Sequence, residues 1–225
     1  MKKPFKIKEV KPGIFLLEFV DEYDMCMFFL RYQEYYESPS PKYRNKTWKV
    51  LDFMRWYSKT FGKGAFTYPI DWSGFNIPDY VIANVRDLGI PDPNDYDKAM
   101  WEVYRHCHKK AKGGKFYIIG VVKGNGALNH EIAHGLFYLN PEYKKATTKL
   151  VKEMDPTLRK AIEAYLHKVG YTPQVYTDET QANMATTEDF EHYSKRQHFD
   201  PKIAHELMEA QKPFIELFKR YTNDK

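Results

Sequence analysis

Residues 115–139 read KFYIIGVVKGNGALNHEIAHGLFYL, and three backbone states follow one another in that stretch. Lys115 to Val122 is a near-continuous apolar run, the pattern of a strand buried on both faces. Gly124-Asn125-Gly126 reads as a tight turn. A helix is then expected to about Leu139, because Pro141 has no N–H to donate and forbids a simple continuation.

That helix carries His130-Glu131-Ile132-Ala133-His134. Histidines four apart on a helix point the same way, with Cβ atoms about 5–6 Å apart. Both imidazoles can therefore reach one zinc ion at Zn–N distances of about 2.0–2.1 Å. Glu131 lies about 100° further round, which makes it a poor ligand but leaves it able to reach a water on the open side of the metal. Zinc lowers the pKa of such a water to about 7, and a carboxylate can then take its proton as general base. The plainer reading is a surface helix with two ordinary histidines. The agreement of strand, turn and helix around the motif weighs against it.

A catalytic zinc site needs a third protein ligand. A metzincin continuation would need Gly and His where Phe137 and Asn140 stand, and neither an inverted His-x-x-Glu-His nor a Pro-Cys-x-x-Cys occurs. Downstream, Asp178-Glu179-Thr180-Gln181-Ala182-Asn183 does occur. With His130–His134, this run resembles the gluzincins, the metallopeptidases that include thermolysin-like enzymes. Within them it looks most like the small intracellular phage-regulator-cleaving type, whose Glu-x-x-Ala-Asn is matched by Glu179, Ala182 and Asn183. The resemblance implies a zincin-like fold, zinc held by His130, His134 and Glu179, and hydrolysis of peptide bonds. It also implies a polar residue four positions after the glutamate that supports a ligand histidine.

The residues agree with that implication on their own terms. Glu179 and Asn183 are i and i+4 and face one way. Asn183 could accept an N–H from a ligand histidine and fix its tautomer, and Asp178 is a further candidate for that support. Ala182 keeps the helix slim. The plainer reading of Glu179 is a solvated carboxylate. Candidates for stabilising a developing oxyanion are Tyr193 and His192, with His198, Tyr176 and Tyr138 behind them. Were the strand Lys115 to Val122 at a sheet edge, it could pair with an extended peptide, although its apolarity favours a buried position.

Further out, Phe5 to Val10 alternates apolar and charged residues as a half-buried strand does. Pro12-Gly13 is a turn, and Ile14 to Val20 a second strand. Asp21 is expected to cap a helix to about Glu37, ended by Ser38-Pro39-Ser40-Pro41, and Thr47 to open another to about Phe61. Gly62 to Asp79 reads as an irregular packed loop. Residues 93–112 read as an amphipathic helix. Asp155-Pro156 and Asp200-Pro201 are helix starts, Gly170 is a stop, and Pro213 should kink or divide the last helix. The sum is α+β: one domain whose residues 1–123 form a sheet-bearing lobe. Residues 124–225 then form a mainly helical lobe with both motifs, and a cleft lies between the two.

Three features receive structural readings. His106-Cys107-His108 diverge on a helix. Trp48, Phe53, Trp56 and Tyr57 have core spacing. The lysines at 109, 110, 112 and 115 form a solvated face. The 225 residues include 18 Tyr and 15 Phe, enough for a large core, and 35 basic against 30 acidic residues give a net charge of +5. Scattered lysines on that scale point to a solvated surface rather than a nucleic-acid footprint. The two cysteines, Cys26 and Cys107, suit a reducing compartment. Charged residues interrupt the start MKKPFKIKEVKPG, so no secretory signal is expected there. No apolar stretch approaches the roughly 18 residues of a membrane span. The expectation is a cytoplasmic hydrolase acting on peptide or protein, with no membrane or nucleic-acid partner. The competing class is a metal-binding interaction or regulatory protein on a zincin scaffold, without turnover.

Overall fold

Strand β4 (Tyr117–Val122) forms where the apolar run predicts it and is paired on both sides. It runs parallel to β2 (Ile14–Phe19) and antiparallel to β3 (Gly74–Pro78), and β1 (Phe5–Lys11) pairs antiparallel with β2, giving the order β1-β2-β4-β3. The turn between β1 and β2 is closed by Glu9, whose Oε1 accepts from the Gly13 amide at 2.9 Å. The two edges of the sheet differ. β1 carries Lys6, Lys8, Glu9 and Lys11, the charged defence that keeps a strand edge from pairing with another chain, and β3 carries no charged residue. Because β4 is interior, it has no edge to offer an added strand; β3 does.

The structure, a computed structural model, describes residues 5–187 and 200–223. Among these are one four-stranded mixed sheet and eleven helices, an α+β arrangement. All strands precede residue 123, but helices are found throughout. Residues 1–131 and 132–225 form two compact units.

In the first unit, α1 (Glu22–Glu37) starts where Asp21 caps it, accepting from Asp24 N at 2.8 Å. It lies against one face of the sheet, where Phe29 stacks on Phe75 at 5.5 Å and 6°. Gly120 on β4 makes this possible, since a Cβ there would stand 2.2 Å from the Phe29 ring. Helix α2 (Val50–Thr60) begins three residues later than Thr47 would have it. The amide of Val50 is satisfied from afar by Asp92 Oδ2 at 2.9 Å, so no local capping side chain is needed.

The segment read as an irregular loop contains α3 (Tyr68–Asp71) and β3, and α4 (Asp79–Leu88) follows in a stretch assigned to no element. β3 has only two core side chains, Phe75 and Ile77, between a terminal glycine and proline. Those breakers are tolerated at the ends of an edge strand, so the usual alternation signal is nearly absent. Helix α5 (Asp95–Lys110) is opened by a capping box of Asn94 and Asp97. Asp97 also pairs with buried Arg31 of α1 at 3.0 Å.

The second unit takes up the body of α6 (Leu128–Leu139) and continues through α7 (Pro141–Glu153), α8 (Pro156–Lys168) and α9 (Tyr176–Thr186), then α10 (Pro201–Ala210) and α11 (Lys212–Thr222). Prolines at the first turns of α7, α8, α10 and α11 sit where a missing N–H is harmless, and Asn140, Asp155 and Asp200 cap the first three of these helices. Pro213 thus divides α10 from α11. Helix α9 packs against α7, α8 and α11, and residues 179–185 are all buried. Among the described residues no helix is long and apolar enough to cross a membrane.

Candidate metal centre

The turn before α6 is built by Asn125. Its Oδ1 accepts from the Ala127 amide at 3.1 Å, and its Nδ2 donates to the Ser73 carbonyl. Gly124 and Gly126 take φ values of 84° and 81°, which glycine adopts without strain. Helix α6 then presents His130 and His134 one turn apart. His130 is half-buried, and His134 is only 2% exposed.

From α9, Glu179 meets His134. The His134 ring is held from both sides: Nδ1 lies 2.9 Å from Asp178 Oδ1, and Nε2 lies 3.7 Å from Glu179 Oε1. A carboxylate accepts only, so Nδ1 carries the proton, and in a neutral imidazole Nε2 then holds the lone pair. His130, His134 and Glu179 each bring one ligand atom to within 4.8 Å of the others. Among the described residues this is the group that could hold a metal ion. The donor set fits one. Ligand atoms of a tetrahedral site with bonds near 2.0–2.1 Å stand about 3.4 Å apart, so a modest contraction would close the site. Two imidazoles and one carboxylate leave a fourth position open. A cation would also offset the charge of Glu179, a carboxylate 3% exposed.

On His134 the bond to Nδ1 comes from Asp178, the residue before Glu179, while Asn183 donates from Nδ2 to the carbonyl of Glu179 at 2.8 Å. Asp178 is itself oriented by Gln181, a residue the sequence reading passed over. Gln181 Nε2 donates to Asp178 Oδ1 at 3.0 Å and to the Ala133 carbonyl at 3.3 Å, and its Oε1 accepts from the Tyr143 hydroxyl at 2.8 Å. Burial, and then the Asp178 charge, raise the pKa of Tyr143, so that hydroxyl stays a donor. The one sequence signal for Gln181 is a polar residue inside the motif itself, next to Ala182.

Glu131 is 4% exposed, and its Oε2 accepts from Asn76 Nδ2 at 2.8 Å. The Asn76 Oδ1 in turn accepts from the Tyr117 hydroxyl at 2.5 Å. Gly74 adjoins the other oxygen, where a Cβ would stand 2.4 Å from Glu131 Oε1. Strand β3 therefore grips Glu131, and nothing in the motif pointed to it.

Of the candidates for oxyanion stabilisation, Tyr138 lies on α6 one turn past His134, Tyr176 opens α9, and both are half-buried. His192, Tyr193 and His198 lie outside the described residues. The structural readings agree with the structure: Cys107 is buried with its pKa pushed up to about 12 by burial, and exposed His108 stacks on Tyr104. Trp48, Phe53, Trp56 and Tyr57 pack in the first unit's core. Comparisons with protein-family models, curated proteins and solved structures found no match.

Proposed function

We propose that the chain is a zinc-dependent peptidase of gluzincin type, with zinc held by His130, His134 and Glu179 and with Glu131 as general base. The observation that carries this is the convergence of three ligand atoms within 4.8 Å, two of them from a helix that also bears the glutamate of the motif. Zinc, when bound there, would supply Lewis-acid chemistry: a more acidic water and a polarised carbonyl. The chain's own residues do the rest. His130 and His134 hold the cation through neutral imidazoles, and Asp178 fixes the His134 tautomer. Glu179 supplies the anionic ligand, and Glu131 accepts the proton of the attacking water. The uncharged edge of β3, beside the residues that grip Glu131, supports an extended peptide as substrate, since strand addition reads backbone rather than sequence. The zincin-like character of the fold belongs to the same proposal. So does a cytoplasmic location, which the free, buried Cys26 and Cys107 favour.

The test uses protein purified without chelator. Elemental analysis is expected to find about one zinc per chain. Turnover on a broad peptide library is expected to fall at least about 10²-fold in Glu131→Gln, with zinc content and melting temperature retained. A wild type that binds no zinc overturns the reading. A zinc-loaded wild type that cleaves nothing moves the function to the metal-binding regulatory class. If Glu131→Gln cleaves as well as wild type, Glu131 is not the base.

A further inference from the structure

Glu131, Asn76 and Tyr117 form a buried chain of polar groups, 4%, 8% and 1% exposed. Each link has a defined direction. Tyr117 donates to Asn76 Oδ1, so the amide must turn Nδ2 toward Glu131, where it donates to Oε2. A flipped amide would set its carbonyl oxygen against the carboxylate, acceptor to acceptor. The strand pairing builds this arrangement. Asn76 pairs with Ile119 and Pro78 with Tyr117, so Asn76 and Tyr117 are diagonal neighbours on one face of the sheet. Gly74 lies two residues before Asn76, on the same face, and gives Glu131 Oε1 its room.

We infer that Asn76 is a positioning residue for Glu131, holding the carboxylate plane through Oε2 so that the base meets its proton in a fixed orientation. The inference rests on reading Glu131 as the general base. The chemistry of the donor is what suits it to this task. A lysine or arginine in its place would pair with the carboxylate and depress its basicity. A neutral amide orients the group without placing a charge beside it. Tyr117, on interior strand β4, keeps the amide from flipping. An edge strand is thereby tied through one side chain to the proton acceptor.

The experiment uses zinc-loaded full-length protein and acetohydroxamate, which chelates zinc and hands its proton to a neighbouring carboxylate. Its binding therefore reads the base without requiring turnover. Asn76→Ala is expected to keep its zinc and to lose about 10–100-fold in acetohydroxamate affinity, the range typical of partners that orient a metal-site group. Tyr117→Phe removes a single hydroxyl and serves where Asn76→Ala folds poorly; it is expected to lose several-fold. The deciding comparison is the double variant. On the Glu131→Gln background, Asn76→Ala should weaken binding no further, because the group it positions is gone. On any peptide found to be cleaved, Asn76→Ala should lower kcat and leave KM unchanged. Wild-type affinity in both single variants overturns the proposal, and so does a loss of equal size with and without Glu131. The two readings separate cleanly. Zinc-loaded protein that binds acetohydroxamate through Glu131 but cleaves no peptide sinks the peptidase reading alone, whereas a chain that loads no zinc overturns both.

Discussion

Asp178 and Glu179 are neighbours in the chain that serve opposite sides of one imidazole: Asp178 accepts a hydrogen bond from Nδ1 of His134, and Glu179 faces Nε2. Only one of them would touch a metal, which separates their effects. Glu179→Ala is expected to weaken zinc binding far more than Glu131→Gln, because Glu131 is not a ligand. Asp178→Ala should weaken it by about 10–100-fold, through the loss of the acceptor that orients the ring. Competition with a chromophoric chelator measures all three. Unchanged affinity in Glu179→Ala would place the third ligand elsewhere, with His192 and His198 next in line. At this scale the sequence was legible wherever the chemistry is local. His130 and His134 are brought to one side by helical spacing alone. Asn183 shares a face with Glu179 and donates from Nδ2 to the Glu179 carbonyl of its own helix. Gln181 and Asn76 were illegible because their partners, Tyr143 and Glu131, lie far away in sequence.

Elements divide along the same line. Strand β4 was readable because a strand buried on both faces must be apolar throughout, and α8 and α10 were readable because each opens with a cap and a first-turn proline. Strand β3 was not, because an edge strand of five residues needs only two core side chains. Helix α4 was missed although Val81, Ile82 and Val85 sit on one buried face, a spacing that a direct search for helical periodicity would have found. A close approach between elements in the first unit lies where β4 meets α1. There Gly120 faces Phe29, which is fully buried and also touches Phe19, Phe28 and Phe75. Gly120→Ala is expected to destabilise by about 1–3 kcal/mol through overpacking. The cause is checkable: adding Phe29→Leu, which withdraws the ring, should recover part of the loss in urea unfolding. If the second substitution only adds to the first, the contact is not the reason.

Stability of the whole molecule carries a signature of one group outside the candidate metal centre. Glu34 on α1 is 6% exposed; the Tyr68 hydroxyl donates to its Oε1 at 2.8 Å, and its Oε2 has no hydrogen-bond partner. Burial raises its pKa to about 7, and Ser38 and then the Tyr68 hydrogen bond only partly oppose this. The folded state therefore favours the neutral acid, while the unfolded chain titrates near 4.3. A raised carboxyl pKa makes its contribution fully present below the unfolded value and removes it as pH climbs through the folded one. The window is thus roughly pH 4–7, with stability falling across it. At 1.36 kcal/mol per pKa unit the loss is about 4 kcal/mol, or about 8–16 °C in melting temperature for a chain of this size. Other carboxylates impose their own acid dependence on both proteins, so the informative quantity is a difference. Glu34→Gln keeps an acceptor for Tyr68 and cannot ionise. Its melting temperature relative to wild type is expected to rise steadily from pH 5 to pH 8 and to level off above that. Parallel profiles for the two proteins would mean that Glu34 does not carry its proton into neutral solution.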